Sequence, residues 1–462
     1  MNKNSLNFIF FSFLLQVFFF FSTPYVTVAG ERKVDLFECY VSCDDKLVIN
    51  GRVHSVLSGS KNPFWENLKL FFSNEHENQW LKVKCQGKEY TVKTDNHGKF
   101  SLDIPGFDRK KTQNNVEFVA INPPEGEKGV RVKKSWNLRH NILQAFNKVP
   151  KYGTINDFDD TNIITEAYSK KKLMRNTFFK KMTNRKVVPG APEVMQGYAK
   201  GKNSDEENYT FYVTGSPTDL FGSINKFMEK HGFPKGPMRL RQIGFRSFGR
   251  KGFLGWVFRK LSLGNEKTED DLLHGYQYKI DSIRKILNKN PGVIFDLRGD
   301  AGEEDPEIYS QIAMEFPNRI GKIYIRNVGQ KDQNPDRIKK LQAKLKQKGV
   351  SAQIQLVENE FETALDAYKR GRMSKEAALK VGQKVQESGQ LPKNYNFSSV
   401  LGQLPAIKTK AKSYLQSLKM EMGQLKRKYQ NSLNEAKFNE ESQKLLQKYK
   451  QTKEKFESAL KK

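Results

Sequence analysis

Cysteine and histidine are scarce in this chain, whose 462 residues include three cysteines and six histidines. The cysteines are Cys39, Cys43 and Cys85, and no two of them form a C-x-x-C pair. Because the histidines are scattered as well, the sequence argues against a zinc site. Three cysteines cannot complete a disulfide framework. One pair could form in an oxidising compartment, and the sequence does not say which two residues would join.

Acidic residues are also few relative to basic ones. The chain has 51 Asp and Glu against 80 Lys and Arg, a formal net charge of +29. Such a balance favours anionic partners, namely membrane surfaces, phosphorylated ligands or nucleic acid. A lysine-rich composition that reflects genomic bias would give the same total, so both interpretations stay open.

A long apolar run occurs at the N-terminus, over residues 8–21, after the positive charge of Lys3. It is too short to span a membrane comfortably, and the small residues Thr27-Val28-Ala29 follow it. We therefore predict a signal peptide over residues 1–29 and an exported protein, periplasmic or extracellular. An uncleaved N-terminal anchor is the alternative, whereas Cys39 lies too far downstream for a lipoprotein.

Residues 30–145 predict a small β-sandwich. Apolar and polar residues alternate over Trp80–Cys85, and residues 90–102 indicate two strands joined by an Asn/Gly turn. No catalytic constellation occurs in this region, so we expect a structural or docking module.

Residues 146–380 predict an α/β domain, because short apolar runs alternate with helical stretches. Polar residues follow three of the predicted strands: Asp157 and Asp159 in a D-x-D-x-T pattern, then Thr214, then Asp300. Because parallel strands end at the same edge of a sheet, we expect these side chains to converge. A run at residues 352–357 indicates an edge strand.

The order of these residues along the chain is an acid pair, a hydroxyl, a lysine and a second acid pair. Lys279 is the lysine, near the expected start of an amphipathic helix at Tyr278, and Asp300 and Asp305 are the second pair. This order resembles the four signature motifs of the haloacid-dehalogenase superfamily. The resemblance implies a three-layer Rossmannoid sheet. It also implies an Asp nucleophile that forms an aspartyl phosphate.

In that scheme Asp157 attacks phosphorus and Asp159 protonates the leaving alkoxide and then activates water. Thr214 and Lys279 hold the phosphoryl oxygens. Mg²⁺ binds to Asp157, Asp300 and a main-chain carbonyl, and Asp159 and Asp305 complete the candidate ligand set. Each of these residues could instead have an ordinary structural role. Thr214 could be a cap residue, and Lys279 could be a surface lysine on a helix.

A closer resemblance is to the actin-patch phosphatidate phosphatases. Residues 150–330 of this chain resemble the catalytic domain of that family. The matching passages are 155–161, 176–178, 189–190, 212–217, 232–237, 240–241, 299–309, 316–320 and 323–326. This family implies Mg²⁺-dependent removal of phosphate from phosphatidate. Tyr278, Ala301 and Glu303 depart from the family pattern, where histidine, serine and glutamine are usual, and they put the substrate preference in doubt.

Two basic segments remain. Residues 245–261 interleave aromatic and basic residues, which suits either insertion into a membrane interface or packing on the protein itself. Residues 381–462 predict a basic helical region, in which Glu and Gln on the polar faces argue against nucleic acid. The functional alternatives are a soluble phosphomonoesterase and a non-catalytic lipid-binding protein of the envelope.

Overall fold

The computed structural model describes residues 32–55, 74–111, 115–128, 137–165, 182–241, 269–397, 399–402, 418, 420–424 and 435–461. The predicted signal peptide at 1–29 and the basic aromatic segment at 245–261 lie outside the described residues. Within the described part of the chain, no helix is both long and apolar enough to cross a membrane.

Two four-stranded antiparallel sheets form the N-terminal region. Their strands are β1 (Arg32–Val41), β2 (Leu47–Ser55), β3 (Asn74–Glu75), β4 (Trp80–Cys85), β5 (Lys88–Lys93), β6 (Lys99–Ile104), β7 (Asn115–Ile121) and β8 (Asn137–Asn141). One sheet joins β1, β2, β3 and β6, and the other has the order β5-β4-β7-β8. A single apolar cluster draws Ile49 and Phe100 from the first sheet and Val83 and Phe118 from the second. The two sheets therefore pack face to face as a sandwich.

The three cysteines belong to this region and are all free thiols. Cys39 and Cys85 are buried in the core between the sheets, and burial raises the pKa of both thiols above its usual value. The alternation predicted over Trp80–Cys85 is present, since Leu81, Val83 and Cys85 are the buried positions of that strand.

A six-stranded parallel sheet follows. Its strands are β9 (Tyr152–Asn156), β10 (Tyr209–Pro217), β11 (Met238–Arg241), β12 (Ile294–Asp300), β13 (Ile320–Arg326) and β14 (Gln353–Val357). The spatial order is β11-β10-β9-β12-β13-β14, which places β14 at an edge as the sequence predicts. Numbered from β9, this is the doubly wound order 3-2-1-4-5-6, whose switch point lies between β9 and β12. The short strand β11 has no counterpart in the sequence prediction. Its four residues are two apolar residues that alternate with two arginines, and none is β-branched.

Helices cover both faces of this sheet. They are α1 (Ala191–Lys200), α2 (Phe221–His231), α3 (Glu269–Lys289), α4 (Asp305–Glu315), α5 (Asn334–Gln347), α6 (Glu360–Lys369) and α7 (Lys375–Glu387). Along β10, Phe211 and Val213 join the cluster formed with α3, α4 and α5, whereas Tyr212 joins the cluster formed with α1 and α2. Alternate side chains of one strand thus enter two separate cores, which gives three layers.

Local sequence explains where several of these helices start. Proline stands in the first turn of α1, α4 and α5, where its fixed φ and missing N–H are tolerated. Asn359 and Ser374 cap α6 and α7 by accepting hydrogen bonds from the backbone N–H groups of Phe361 and Ala377.

The sandwich packs closely against the parallel sheet. The ring of Tyr40 on β1 meets that of Phe211 edge-on at 5.0 Å, within the same apolar cluster. Two largely buried ion pairs also cross this boundary: Arg52 Nη1 lies 2.7 Å from Asp219 Oδ1, and Arg239 holds Glu38 through two hydrogen bonds of 2.8 and 2.9 Å. Arg52 and Glu38 are both buried, so the two regions share a polar as well as an apolar interface.

Most of the described residues in the C-terminal part of the chain are helical. Helix α7 runs across residue 380, and Val381 and Val385 extend its buried face into the cluster formed with α1 and α6. The described residues at 418 and 420–424 are helical, and a further helix, α8 (Glu435–Lys461), follows them in the region predicted to be basic and helical.

Candidate active site

The turn after β9 presents the first acid pair. The N–H of Asp157 donates to the carbonyl of Arg298 at 2.8 Å, which extends the sheet ladder by one residue beyond β9. Phe158 points away into the core beside α2, so Asp157 and Asp159 emerge on the opposite side. Asp160 then adopts a left-handed conformation with φ 51°, which aspartate tolerates better than most residues. This reversal brings the Thr161 hydroxyl to 3.3 Å from Asp157 Oδ2.

Three buried carboxylates meet at this edge of the sheet. Asp157, Asp300 and Asp305 each offer an oxygen, and these oxygens all lie within 4.8 Å of one another. Lys279 reaches the same point from α3, with Nζ 2.9 Å from Asp157 Oδ1 and 2.6 Å from Asp305 Oδ1. We call these four residues the acid cluster. Because β9 and β12 flank the switch point, the acid cluster occupies the position where doubly wound sheets bind ligands.

Electrostatics in the acid cluster are unbalanced. Burial raises the pKa of Asp157 and of Asp300 well above the usual range, and the neighbouring carboxylates raise both further. Burial also raises the pKa of Asp305, against the opposing charge of Lys279. Burial alone would lower the pKa of Lys279, but Asp157, Asp305 and Glu303 outweigh it and hold that pKa well above its usual value. One ammonium therefore faces several carboxylates that repel one another.

Asp159 has a different environment. It is partly exposed and does not belong to the group of three converging carboxylates. Its Oδ2 accepts a hydrogen bond from Ser216 at 2.7 Å and one from Thr214 at 3.2 Å. Burial is the main cause that raises its pKa, while the Ser216 hydroxyl and the charge of Arg185 oppose the rise.

The loop from Asp300 to Asp305 requires a close backbone approach. The N–H of Gly302 donates to Asp300 Oδ1 at 2.7 Å, and the N–H of Asp300 donates to Asp305 Oδ2 at 3.3 Å. A Cβ at Gly299 would collide with the Asp305 carboxylate and lie 2.7 Å from the ring of Tyr309, so only glycine fits there. Asp305 opens α4, whose N-terminal dipole favours its negative charge.

The structure brings the predicted site residues together at one edge of the sheet, in two adjoining groups. Asp157, Lys279, Asp300 and Asp305 form the acid cluster, and Asp159 and Thr214 form the neighbouring pair. The helix that carries Lys279 begins at Glu269, well before the start expected at Tyr278.

Two residues at the site were missed by the sequence reasoning. Ser216 follows Thr214 by two positions, so strand alternation would have placed both hydroxyls on one side. Asn162 is fully buried, and its Nδ2 donates to the main-chain carbonyl of Asp157 at 2.6 Å. No spacing rule in the sequence indicates that contact.

Comparison with known proteins agrees with the resemblance expected from the sequence. Residues 152–327 match the family model of the phosphatidate phosphatase APP1 catalytic domain. The chain is 30% identical over 174 residues to phosphatidate phosphatase APP1 of Saccharomyces cerevisiae, which covers 38% of this chain and 25% of the yeast protein. It is 25% identical over 242 residues to the uncharacterized protein C29B5.04c of Schizosaccharomyces pombe, which covers 52% and 35% of the two chains. The matches therefore span about a quarter to a third of the length of these curated relatives.

Solved structures are only distantly similar. The carbohydrate acetylesterase XAC1771 from Xanthomonas citri shares 10% identity at a TM-score of 0.24, over 64% of this chain and 68% of that chain. A second carbohydrate esterase shares 10% identity at a TM-score of 0.19, over 71% and 89%. Likeness at this level carries no argument about fold or activity. The family model and the yeast relative show that residues 152–327 are similar to an APP1-type phosphatidate phosphatase catalytic domain.

Proposed function

We propose that the protein is a Mg²⁺-dependent phosphatase that hydrolyses phosphatidate or a related lipid phosphate through an aspartyl-phosphate intermediate. The convergence of Asp157, Lys279, Asp300 and Asp305 inside the family-matched region carries this proposal. We also propose that the α/β domain is of the haloacid-dehalogenase type, since its motif residues lie after β9, on β10, on α3 and at the end of β12, in the order of that superfamily.

The acid cluster suits a hard divalent cation. Its carboxylates are buried and repel one another, which raises the pKa of each, and the single ammonium of Lys279 leaves negative charge in excess. Asp157, Asp300 and Asp305 would hold Mg²⁺ through oxygen ligands of the kind this ion prefers. The ion, when bound, would neutralise charge on the phosphoryl oxygens.

Asp157 is the proposed nucleophile. Its two carboxylate oxygens are oriented by Lys279 at 2.9 Å and by the Thr161 hydroxyl at 3.3 Å. Attack by this carboxylate forms the Asp157–phosphorus bond and breaks the bond from phosphorus to the alcohol oxygen. Lys279 lies close enough to the attacking oxygen to meet the negative charge that spreads over the phosphoryl group.

Asp159 is the proposed general acid and base. A raised pKa favours the protonated form that must donate to the leaving alkoxide, and partial exposure leaves the carboxyl accessible to substrate and water. The ionised form then accepts a proton from the water that attacks phosphorus, which releases phosphate and regenerates Asp157. Thr214 and Ser216 hold this carboxyl in place through hydrogen bonds. Thr214 would then have two roles, since we also expect it to contact a phosphoryl oxygen.

The substrate class follows from the family match and from the charge of the chain. The yeast relative is a phosphatidate phosphatase by name, and the net charge of +29 suits an anionic lipid surface. Membrane association and export through the predicted signal peptide are part of the same proposal.

Phosphate release from phosphatidate in mixed micelles, with and without Mg²⁺, tests the proposal. We expect Asp157→Asn to lower the rate at least about 10³-fold, because an amide is a poor nucleophile. Asp103→Asn is the control, since Asp103 pairs with Lys289 far from the acid cluster. Equal release by Asp157→Asn and the unmodified protein would refute the nucleophile. Turnover of soluble phosphomonoesters that lipid vesicles leave unchanged would refute the lipid substrate.

A further inference from the structure

The loop between Asp300 and Asp305 sets the spacing of two of the three carboxylates in the acid cluster. Few contacts inside the loop hold it, namely the hydrogen bonds of Gly302 to Asp300 and of Asp300 to Asp305. The N–H of Ala301 also donates to the carbonyl of Arg326 on β13 at 3.0 Å. The carbonyl of Glu304 accepts from the N–H of Ile308 on α4, whereas those of Ala301 and Glu303 take their partners from another helix.

A single guanidinium supplies those partners. Arg337 on α5 donates from Nη1 to the carbonyl of Ala301 at 2.8 Å and from Nη2 to the carbonyl of Glu303 at 2.7 Å. Its Nε donates to Glu307 Oε1 at 2.8 Å, so the same side chain is anchored on the first turn of α4. A planar fork with five donors can bridge two carbonyls and a carboxylate at once, which a lysine ammonium on a flexible stem cannot do.

Arg337 lies outside the family-matched residues 152–327, on a helix that the family comparison does not include. Its charge also faces the acid cluster. Burial lowers the pKa of the guanidinium, but Glu307 and then Asp300 and Asp305 raise it above its usual value.

We propose that Arg337 is a positioning residue that fixes the Asp300–Asp305 loop in the geometry needed to bind a divalent cation. This inference rests on the proposed function, and it adds a residue of α5 to the machinery of the site. Without the fork, the loop carbonyls lose two partners and the carboxylates at the two ends of the loop are free to separate. Supporting contacts of this kind typically contribute about 10- to 100-fold to metal affinity.

Titration of the substrate-free protein with Mg²⁺ in a calorimeter tests the inference without reference to turnover. We expect Arg337→Gln to weaken Mg²⁺ binding about 10- to 100-fold, and Arg337→Lys to restore only part of the affinity, because the charge returns without the fork. At saturating Mg²⁺, phosphate release should recover to within a few-fold of the unmodified rate.

A matched control exists at the other end of α4. Arg284 on α3 pairs with Glu315 through two hydrogen bonds of 2.7 and 2.8 Å, and its side chain is 34% exposed against 28% for Arg337. It makes no contact with the loop among the described hydrogen bonds. Arg284→Gln should therefore lower the unfolding midpoint about as much as Arg337→Gln while leaving Mg²⁺ affinity unchanged.

The possible results separate the two proposals. Unchanged Mg²⁺ affinity in a folded Arg337→Gln or Arg337→Lys variant, with an active unmodified enzyme, overturns the role of Arg337 alone. Equal weakening of Mg²⁺ binding in Arg284→Gln also overturns it, because a general loss of packing would then be the cause. An unmodified protein that binds no Mg²⁺ and releases no phosphate overturns the proposed function and the inference with it.

Discussion

Two clusters of polar residues, each with a buried aspartate of strand β12 at its centre, are built in opposite ways. The acid cluster contains Asp300, and four positions earlier Asp296 belongs to what we call the basal cluster. The basal cluster comprises Tyr198, Asp296, Tyr324, Asp366 and Arg370. Arg370 donates to both carboxylates, and each of them also accepts from a tyrosine hydroxyl, at 3.1 Å for Asp296 and 2.6 Å for Asp366.

The difference concerns what each buried carboxylate faces. In the basal cluster the two carboxylates face a guanidinium and two tyrosine hydroxyls, whereas in the acid cluster three carboxylates converge on one another with a single ammonium between them. Removing one partner of a buried ion pair is strongly destabilising, while burial of charges that repel one another costs stability unless a ligand compensates. The contrast therefore supports the proposal that the acid cluster binds a cation, and it assigns the basal cluster a structural role.

The largest effect on stability is expected in the basal cluster. Arg370→Leu would leave the buried Asp296 without its charged partner, and we expect it to lower the free energy of unfolding by about 3 kcal/mol. Urea denaturation followed by circular dichroism measures this loss. A variant as stable as the unmodified protein would show that the Tyr198 hydroxyl alone satisfies Asp296.

The same substitution at two positions of β12 should have opposite signs. Asp300→Asn relieves repulsion in the acid cluster and keeps an oxygen to accept from Gly302, so we expect it to raise the free energy of unfolding by about 1 kcal/mol without Mg²⁺. Asp296→Asn should lower it, because the ion pair with Arg370 is lost. Denaturation in the presence of a chelator makes the comparison. Equal destabilisation by both variants would contradict the distinction between the clusters.

The smallest effect is a dependence of that gain on pH. Burial and neighbouring charge raise the pKa of Asp300 in the folded state, so between the unfolded value, near 4, and the raised value the folded chain binds more protons. This carboxyl therefore costs increasing stability as pH rises above about 4, until pH exceeds the raised pKa. The advantage of Asp300→Asn without Mg²⁺ should grow over the same interval. An advantage independent of pH would contradict the raised pKa.

Sequence reasoning could place the residues that sit at strand ends. Asp157, Thr214 and Asp300 follow apolar runs that form neighbouring parallel strands, and the carboxyl ends of such strands share one edge. The spacing of Asp157 and Asp159 in the sequence is weaker evidence that both bind the same metal ion. In the structure Asp157 joins Asp300 and Asp305, and Asp159 turns toward the hydroxyls of β10.

Contacts between distant segments could not be predicted. Arg337 reaches the Asp300–Asp305 loop from a helix whose sequence shows only an ordinary basic face, because no local pattern encodes which backbone carbonyls a long side chain will meet. The ion pair of Arg298 with Glu360 beneath the site, at 2.7 Å, is of the same kind. The local periodicity of the sequence determines the helices and strands, whereas contacts between distant side chains depend on how those helices and strands pack.

The boundary between the sandwich and the parallel sheet has a practical consequence for dissecting the protein. Similarity to the family starts at residue 152. Truncation of the chain there would remove Arg52 and Glu38, the partners of Asp219 and Arg239, and would expose the ring of Phe211 that packs against Tyr40. The smallest piece worth purifying thus starts with β1, and an inactive shorter fragment would say nothing about the chemistry of its aspartates.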